Sequence, residues 1–174
     1  MSSTNSDVLL MDCHPSQETF LEEVLDGLRQ PQKRLPSKYL YDQRGSELFD
    51  QICELEEYYP TRTELAIMRC YVGEMANAVG PHCMLIELGS GSGLKTRILL
   101  DHLQSPAAYV PLDISREHLM QTAGDLSTAY PHLEVLPVGA DFMEPLDPPD
   151  PKQDTARNIV YFPGSTIGNL EPDE

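Results

Sequence analysis

The sequence is short of positive charge: twelve lysines and arginines stand against twenty-eight aspartates and glutamates, a formal net charge of −16. Such a field repels phosphate backbones and anionic lipid surfaces unless a local basic patch opposes it, and the sequence has no such patch. Neither nucleic acid nor a membrane is therefore an expected partner; small solutes or other proteins are. Apolar runs long enough to span a bilayer are also lacking, and the opening MSSTNSDVLLMDCHPSQE has neither the basic region nor the long apolar stretch of a secretory signal. A cytoplasmic location is the resulting expectation. Cys13, Cys53, Cys70 and Cys83 are widely spaced and match no Cys-x-x-Cys pattern, so buried free thiols are expected. His14, His82, His102, His118 and His132 form no His-x-x-x-His pair, and no metal site is assigned.

What is present suits one soluble core: 174 residues, 40% hydrophobic and 23% charged. Residues 1–15 read as a flexible lead-in. Ser16 is placed to cap a helix whose apolar positions Phe20, Leu21, Val24, Leu25 and Leu28 recur at helical spacing, until Pro31 ends it. A second, short helix is expected from about Ser46, with Leu48, Phe49 and Ile52 on one side. Thr61 and Glu64 have the spacing of a capping box ahead of the stripe Leu65, Met68, Val72, Met75 and Val79, which Gly80-Pro81 terminates. Residues 16–81 thus form a helical region.

From residue 82 the period changes. Strands are expected at 84–88, 107–112, 133–138 and 158–162. Between them lie a helix carrying Ile98, Leu99 and Leu103 and another, opened by Ser115, carrying Leu119, Ala123 and Leu126; residues 145–154 are a Pro- and Asp-rich connection. Alternating strands and helices predict an α/β fold, a doubly wound and mainly parallel sheet spanning 82–174, with the N-terminal helices packed on the same unit.

The first predicted strand runs into Glu87-Leu88-Gly89-Ser90-Gly91-Ser92-Gly93, where glycines let the backbone approach a ligand closely. Asp113 follows the second strand, where its carboxylate can accept ribose hydroxyls. Asp141-Phe142 follows the third, where the carboxylate can receive an amine and the ring can pack on adenine. Counting from Gly89, the sixth place of Gly-x-Gly-x-x-Gly is Leu94, which argues against a dinucleotide; Lys95-Thr96 lacks the preceding glycine of a Walker loop, which argues against ATP. The methionine carboxylate of S-adenosylmethionine suits a compact glycine loop, a helix start and Lys95.

Four segments, Tyr41-Asp42-Gln43-Arg44-Gly45-Ser46-Glu47-Leu48-Phe49, Glu57-Tyr58-Tyr59-Pro60-Thr61-Arg62-Thr63-Glu64, Glu87 to Arg97 and Phe162-Pro163-Gly164-Ser165-Thr166-Ile167-Gly168-Asn169, occur in the order of one family. In them the sequence resembles the histidine-specific N-alpha methyltransferases, which convert L-histidine to hercynine on the route to ergothioneine. The resemblance implies S-adenosylmethionine as cofactor, held by Gly89, Lys95, Asp113, Asp141 and Phe142, and an amino-acid substrate contacted by Tyr59 and Asn169. It implies a strand order 3-2-1-4-5-7-6, of which this chain supplies 3-2-1-4. The fourth strand is then an edge open to self-association, and the piece alone is expected to be inactive. Two other functions compete: methylation of another amino acid, such as a tryptophan derivative, and a non-enzymatic interaction role.

Overall fold

The computed structural model describes residues 8–13, 17–164 and 166–170. Ser16 lies outside them, so its expected cap is not described. Helix α1 spans Gln17–Arg29, with Glu18 in its first turn and Arg29 in its last, each sign matched to the helix dipole. After a 3-10 turn at Ser37–Leu40, α2 covers Gln43–Glu54. The Asp42 side chain caps α2 by accepting the Gly45 N–H at 2.7 Å. A Cβ on Gly45 would lie 1.7 Å from the Leu40 carbonyl oxygen, so only glycine fits there.

Helix α3, Tyr59–Val79, begins two residues before the expected capping box, with Pro at its first turn and Tyr58 as cap residue. Thr61 and Glu64 therefore do not form that box. Arg62 instead donates to the carbonyls of Leu55, Glu56 and Tyr58, fastening the preceding turn, and Glu64 is free to make longer-range bonds.

The sheet is built from β1 (Met11–Cys13), β2 (Cys83–Leu88), β3 (Ala108–Asp113), β4 (Glu134–Val135), β5 (Val138–Ala140) and β6 (Arg157–Tyr161). Helix α4, Leu94–Leu100, connects β2 to β3, and α5, Arg116–Ala129, connects β3 to β4. The order is β1-β5-β3-β2-β6, with β4 also on β3, and every pairing is parallel. The expected 3-2-1-4 arrangement is present as β5-β3-β2-β6. Residues 11–13, read from sequence as part of a flexible lead-in, add a strand beyond it. At the other side β6 is an edge among the described residues, with Val160 64% exposed.

The third expected strand is split. β3 pairs with β4 at Ala108 and Tyr109 and with β5 at Leu112 and Asp113, and the ladder is interrupted between these registers. Pro111 on one side and Pro137 on the other fall in that interval, both fully buried, and neither has an N–H to give to a ladder.

Alternation along the strands separates two apolar clusters. On one face Leu85 and Tyr109 meet Met68 and Val72 of α3, Leu99 and Leu100 of α4, and Ala123 and Leu126 of α5. On the other, Met84, Ala108, Val110, Leu112, Val138 and Ala140 are covered by Leu136, Phe142 and Leu146 from connecting segments. No described helix is long and apolar enough to cross a membrane.

Candidate cofactor and substrate site

The loop after β2 turns on three glycines with positive φ: Gly89 at 71°, Gly91 at 49° and Gly93 at 68°. That is the conformation a Cβ disfavours, which is why the sequence places glycine at alternate positions. The loop is pinned from β3, since the N–H groups of Gly89 and Ser90 both donate to the Leu112 carbonyl, at 2.9 and 3.1 Å. From α5, Thr122 donates to the Gly91 carbonyl at 3.0 Å. Asp113, the last residue of β3, accepts from Gly91 N–H at 3.0 Å and from Ser115 N–H at 2.9 Å. A carboxylate has about four acceptor positions, so among the described residues two of those of Asp113 are left for further donors.

Below the loop, Glu87 is 1% exposed and accepts from the hydroxyls of Thr96 and Tyr109. Burial pushes its pKa up to about 7, with those two hydrogen bonds pulling the other way. The bonds join β2, α4 and β3 beneath the loop.

A cavity of about 780 Å³ opens over this end of the sheet, within the range of roughly 300–1,000 Å³ usual for small-molecule sites. Gly89, Gly91, Asp113, Asp141, Phe142 and Asn169 all line it. Of the seven residues singled out from sequence, five (Gly89, Asp113, Asp141, Phe142 and Asn169) are thus gathered there, all but one lysine and one tyrosine considered next; the strand ends and the 3-10 turn at Thr166–Asn169 deliver them. Asp141, 5% exposed, accepts from Met143 N–H at 3.0 Å and from Lys38 Nζ at 2.7 Å. The Phe142 ring meets Phe162 edge-on, with centroids 5.3 Å apart.

Lys95 and Tyr59 do not line the cavity. The Lys95 ammonium donates instead to Glu64 at 2.9 Å, and Tyr59, at the first turn of α3, is 67% exposed. Tyr41 does line it, in an aromatic row: its ring contacts Phe49, and Phe49 contacts Tyr58, each pair at 5.9 Å.

Sequence reasoning missed Glu23, Lys38, Asp50 and His118, which also face the cavity. His118 Nε2 of α5 stands 3.6 Å from Asp50 Oδ2 of α2. These groups carry no local motif; their partners lie far along the chain, so only the fold brings them together.

The residues present fit an adenosyl cofactor. A Cβ added to Gly89 or Gly91 would meet nothing within 4 Å, leaving room against the loop backbone, and Asp113 has spare acceptor capacity beside it. A parallel α/β sheet with a glycine loop after β2 and acidic residues ending or following the next strands is the Rossmann-like arrangement typical of S-adenosylmethionine-dependent methyltransferases. Within that class, the chain belongs to the family described as histidine-specific, SAM-dependent methyltransferases, which it matches over residues 20–174.

It is 44% identical over 153 residues to the histidine N-alpha-methyltransferase of Mycobacterium tuberculosis, covering 86% of this chain and 46% of that protein. To the enzyme of the same name from Mycolicibacterium smegmatis it is 41% identical over 158 residues, 89% of this chain and 48% of that one. A 4-dimethylallyltryptophan N-methyltransferase of Claviceps fusiformis is 26% identical over 163 residues, 90% of this chain and 46% of the relative. The chain spans about half the length of these relatives.

Proposed function

We propose that the protein of which this chain is at least a part methylates the α-amino group of L-histidine, giving the trimethylated product, with S-adenosylmethionine as methyl donor. The observation that carries this reading is the convergence of Gly89, Gly91, Asp113, Asp141, Phe142 and Asn169 on one cavity, in a chain more than 40% identical to two histidine N-alpha-methyltransferases.

In this reading the two open acceptor positions of Asp113 take the ribose hydroxyls, and Asp141 takes the adenine amine while the Phe142 ring packs on the base. Asn169 offers a carboxamide to the amino acid. Bound S-adenosylmethionine supplies an activated methyl and a neutral thioether leaving group. The protein's own work is positioning: holding the unprotonated amine in line with the methyl through three rounds of transfer. The role of Tyr59 as a substrate contact rests on the family resemblance, and that of Lys95 as a cofactor contact on the resemblance and on its place beside a helix start that suits the methionine carboxylate.

A second reading, methylation of a tryptophan-derived amino acid in the same site, is favoured by the similarity to the 4-dimethylallyltryptophan enzyme. Isothermal titration of the complete protein with S-adenosylhomocysteine, followed by L-histidine and then by L-tryptophan, separates the two. Histidine binding to the cofactor complex supports the first, binding of tryptophan alone supports the second, and no binding of S-adenosylhomocysteine removes both.

A further inference from the structure

Lys38 sits on the 3-10 turn Ser37–Leu40, between the N-terminal helices and the cavity wall. Its ammonium donates to Asp141 Oδ2 at 2.7 Å and to Glu23 Oε1 of α1 at 2.9 Å, and Glu23 in turn accepts from the Tyr39 hydroxyl at 3.0 Å. All three charged groups face the cavity. Burial alone would lower the lysine's pKa, but its hydrogen bonds to Asp141 and Glu23 outweigh this and hold it above the ordinary value, so it stays a cation.

We infer that Lys38 is a positioning residue for adenine recognition: paired to Oδ2, it holds the Asp141 carboxylate in a fixed orientation toward the base. This rests on the reading of Asp141 as the acceptor of the adenine amine. The geometry supports it. Asp141 is almost wholly buried, so its protein partners rather than bulk solvent set its orientation. Its Oδ1 is fixed by Met143 N–H and its Oδ2 by Lys38, so the plane of the carboxylate is set from both sides and its remaining acceptor positions have defined directions. Lys38 itself need not touch the reacting atoms. Its partner Glu23 links the orientation of this carboxylate to α1, so the helical region helps select the cofactor's base.

The test is a ratio that general loosening of the fold would not move: the affinity for S-adenosylhomocysteine over that for its 6-deamino analogue, which lacks only the exocyclic amine. It is measured by titration on the purified complete protein as wild type, Lys38→Met, Lys38→Gln and Lys38→Arg, each checked for an intact melting transition. A hydrogen bond to a charged acceptor predicts a wild-type ratio of about tenfold or more. The ratio should fall to about threefold or less in Lys38→Met and Lys38→Gln and be largely kept in Lys38→Arg, which retains charge and donors. If wild type discriminates and the folded Met and Gln variants discriminate equally well, the role of Lys38 is overturned while Asp141 keeps its own. If wild type binds both ligands equally, the reading of Asp141 fails and the role of Lys38 fails with it.

Discussion

The ammonium of Lys95 and the carboxylate of Glu64 meet at 2.9 Å between α4 and α3. The other oxygen of Glu64 accepts the backbone N–H of Gly164, in the segment following β6, at 2.6 Å. One carboxylate therefore joins two helices to the loop that leads to Asn169. Both side chains are partly exposed, so solvent screens the ion pair and the hydrogen bond to Gly164 carries more of the effect. Glu64→Ala should destabilise the protein by about 1–2 kcal/mol in urea unfolding, and Glu64→Gln by less, because the amide oxygen still accepts from Gly164. An unaltered midpoint in Glu64→Ala would show that the junction contributes nothing.

Asp113 is bound to the glycine loop, whereas Asp150 is an exposed residue of the acidic connection before β6. Asp113→Ala should weaken S-adenosylhomocysteine binding by at least about tenfold, from the loss of charge-assisted hydrogen bonds worth roughly 1.5–3 kcal/mol each. Asp150→Ala should leave binding within about twofold. Equal affinities in the two folded variants, by titration calorimetry, would contradict the assignment of Asp113.

Asn169 lines the cavity in the turn beyond β6, apart from the glycine loop. In the complete enzyme, Asn169→Ala should raise the KM for the amino acid or lower kcat by about tenfold or more, through lost orientation, with cofactor affinity nearly unchanged. Unchanged kinetics for L-histidine in that variant would remove its substrate role.

Glu87 gives a pH signature. Its ordinary pKa is near 4.5 and burial pushes it up to about 7. Between these values the folded protein holds a proton that the unfolded chain has released. Stability from this group is therefore present at and below pH 4.5 and is lost as pH rises toward 7, a change of the order of 3 kcal/mol. Glu87→Gln, which does not titrate, should lack this decline. Relative to wild type it should gain stability as pH is raised from about 4.5 to 7 and hold that gain above. Parallel stability curves for the two proteins would mean that Glu87 titrates normally.

Much of the sheet was legible because its signals are local. The apolar runs at 84–88 and 158–162 and the glycine loop mark their own ends, and Asp113 and Asp141 fall where strands stop. Other features depend on distant partners. The spacing of Thr61 and Glu64 suits a capping box, but Pro60 starts the helix earlier and Glu64 is drawn to Lys95 and Gly164. Lys95, read as a cofactor contact, meets that same carboxylate. Lys38 gives no sign of its role, because Asp141 lies 103 residues away along the chain. The split of the third strand was written in Pro111 and Pro137, but only their register shows that they share one gap.

The strand at 11–13 has a consequence for the order in which the molecule assembles. Met11 pairs with Val138, so most of the described chain, from α1 to β4, lies inside the loop that this contact closes. Closing so long a loop is entropically costly, and only three residues of parallel pairing with exposed side chains offset it. β1 has no surface to join until β5 has docked on β3. The N-terminal strand is thus the last stave set into the sheet and the first to work loose: its amides should exchange with solvent long before those of β2 and β3, while the glycine loop beyond them stays anchored.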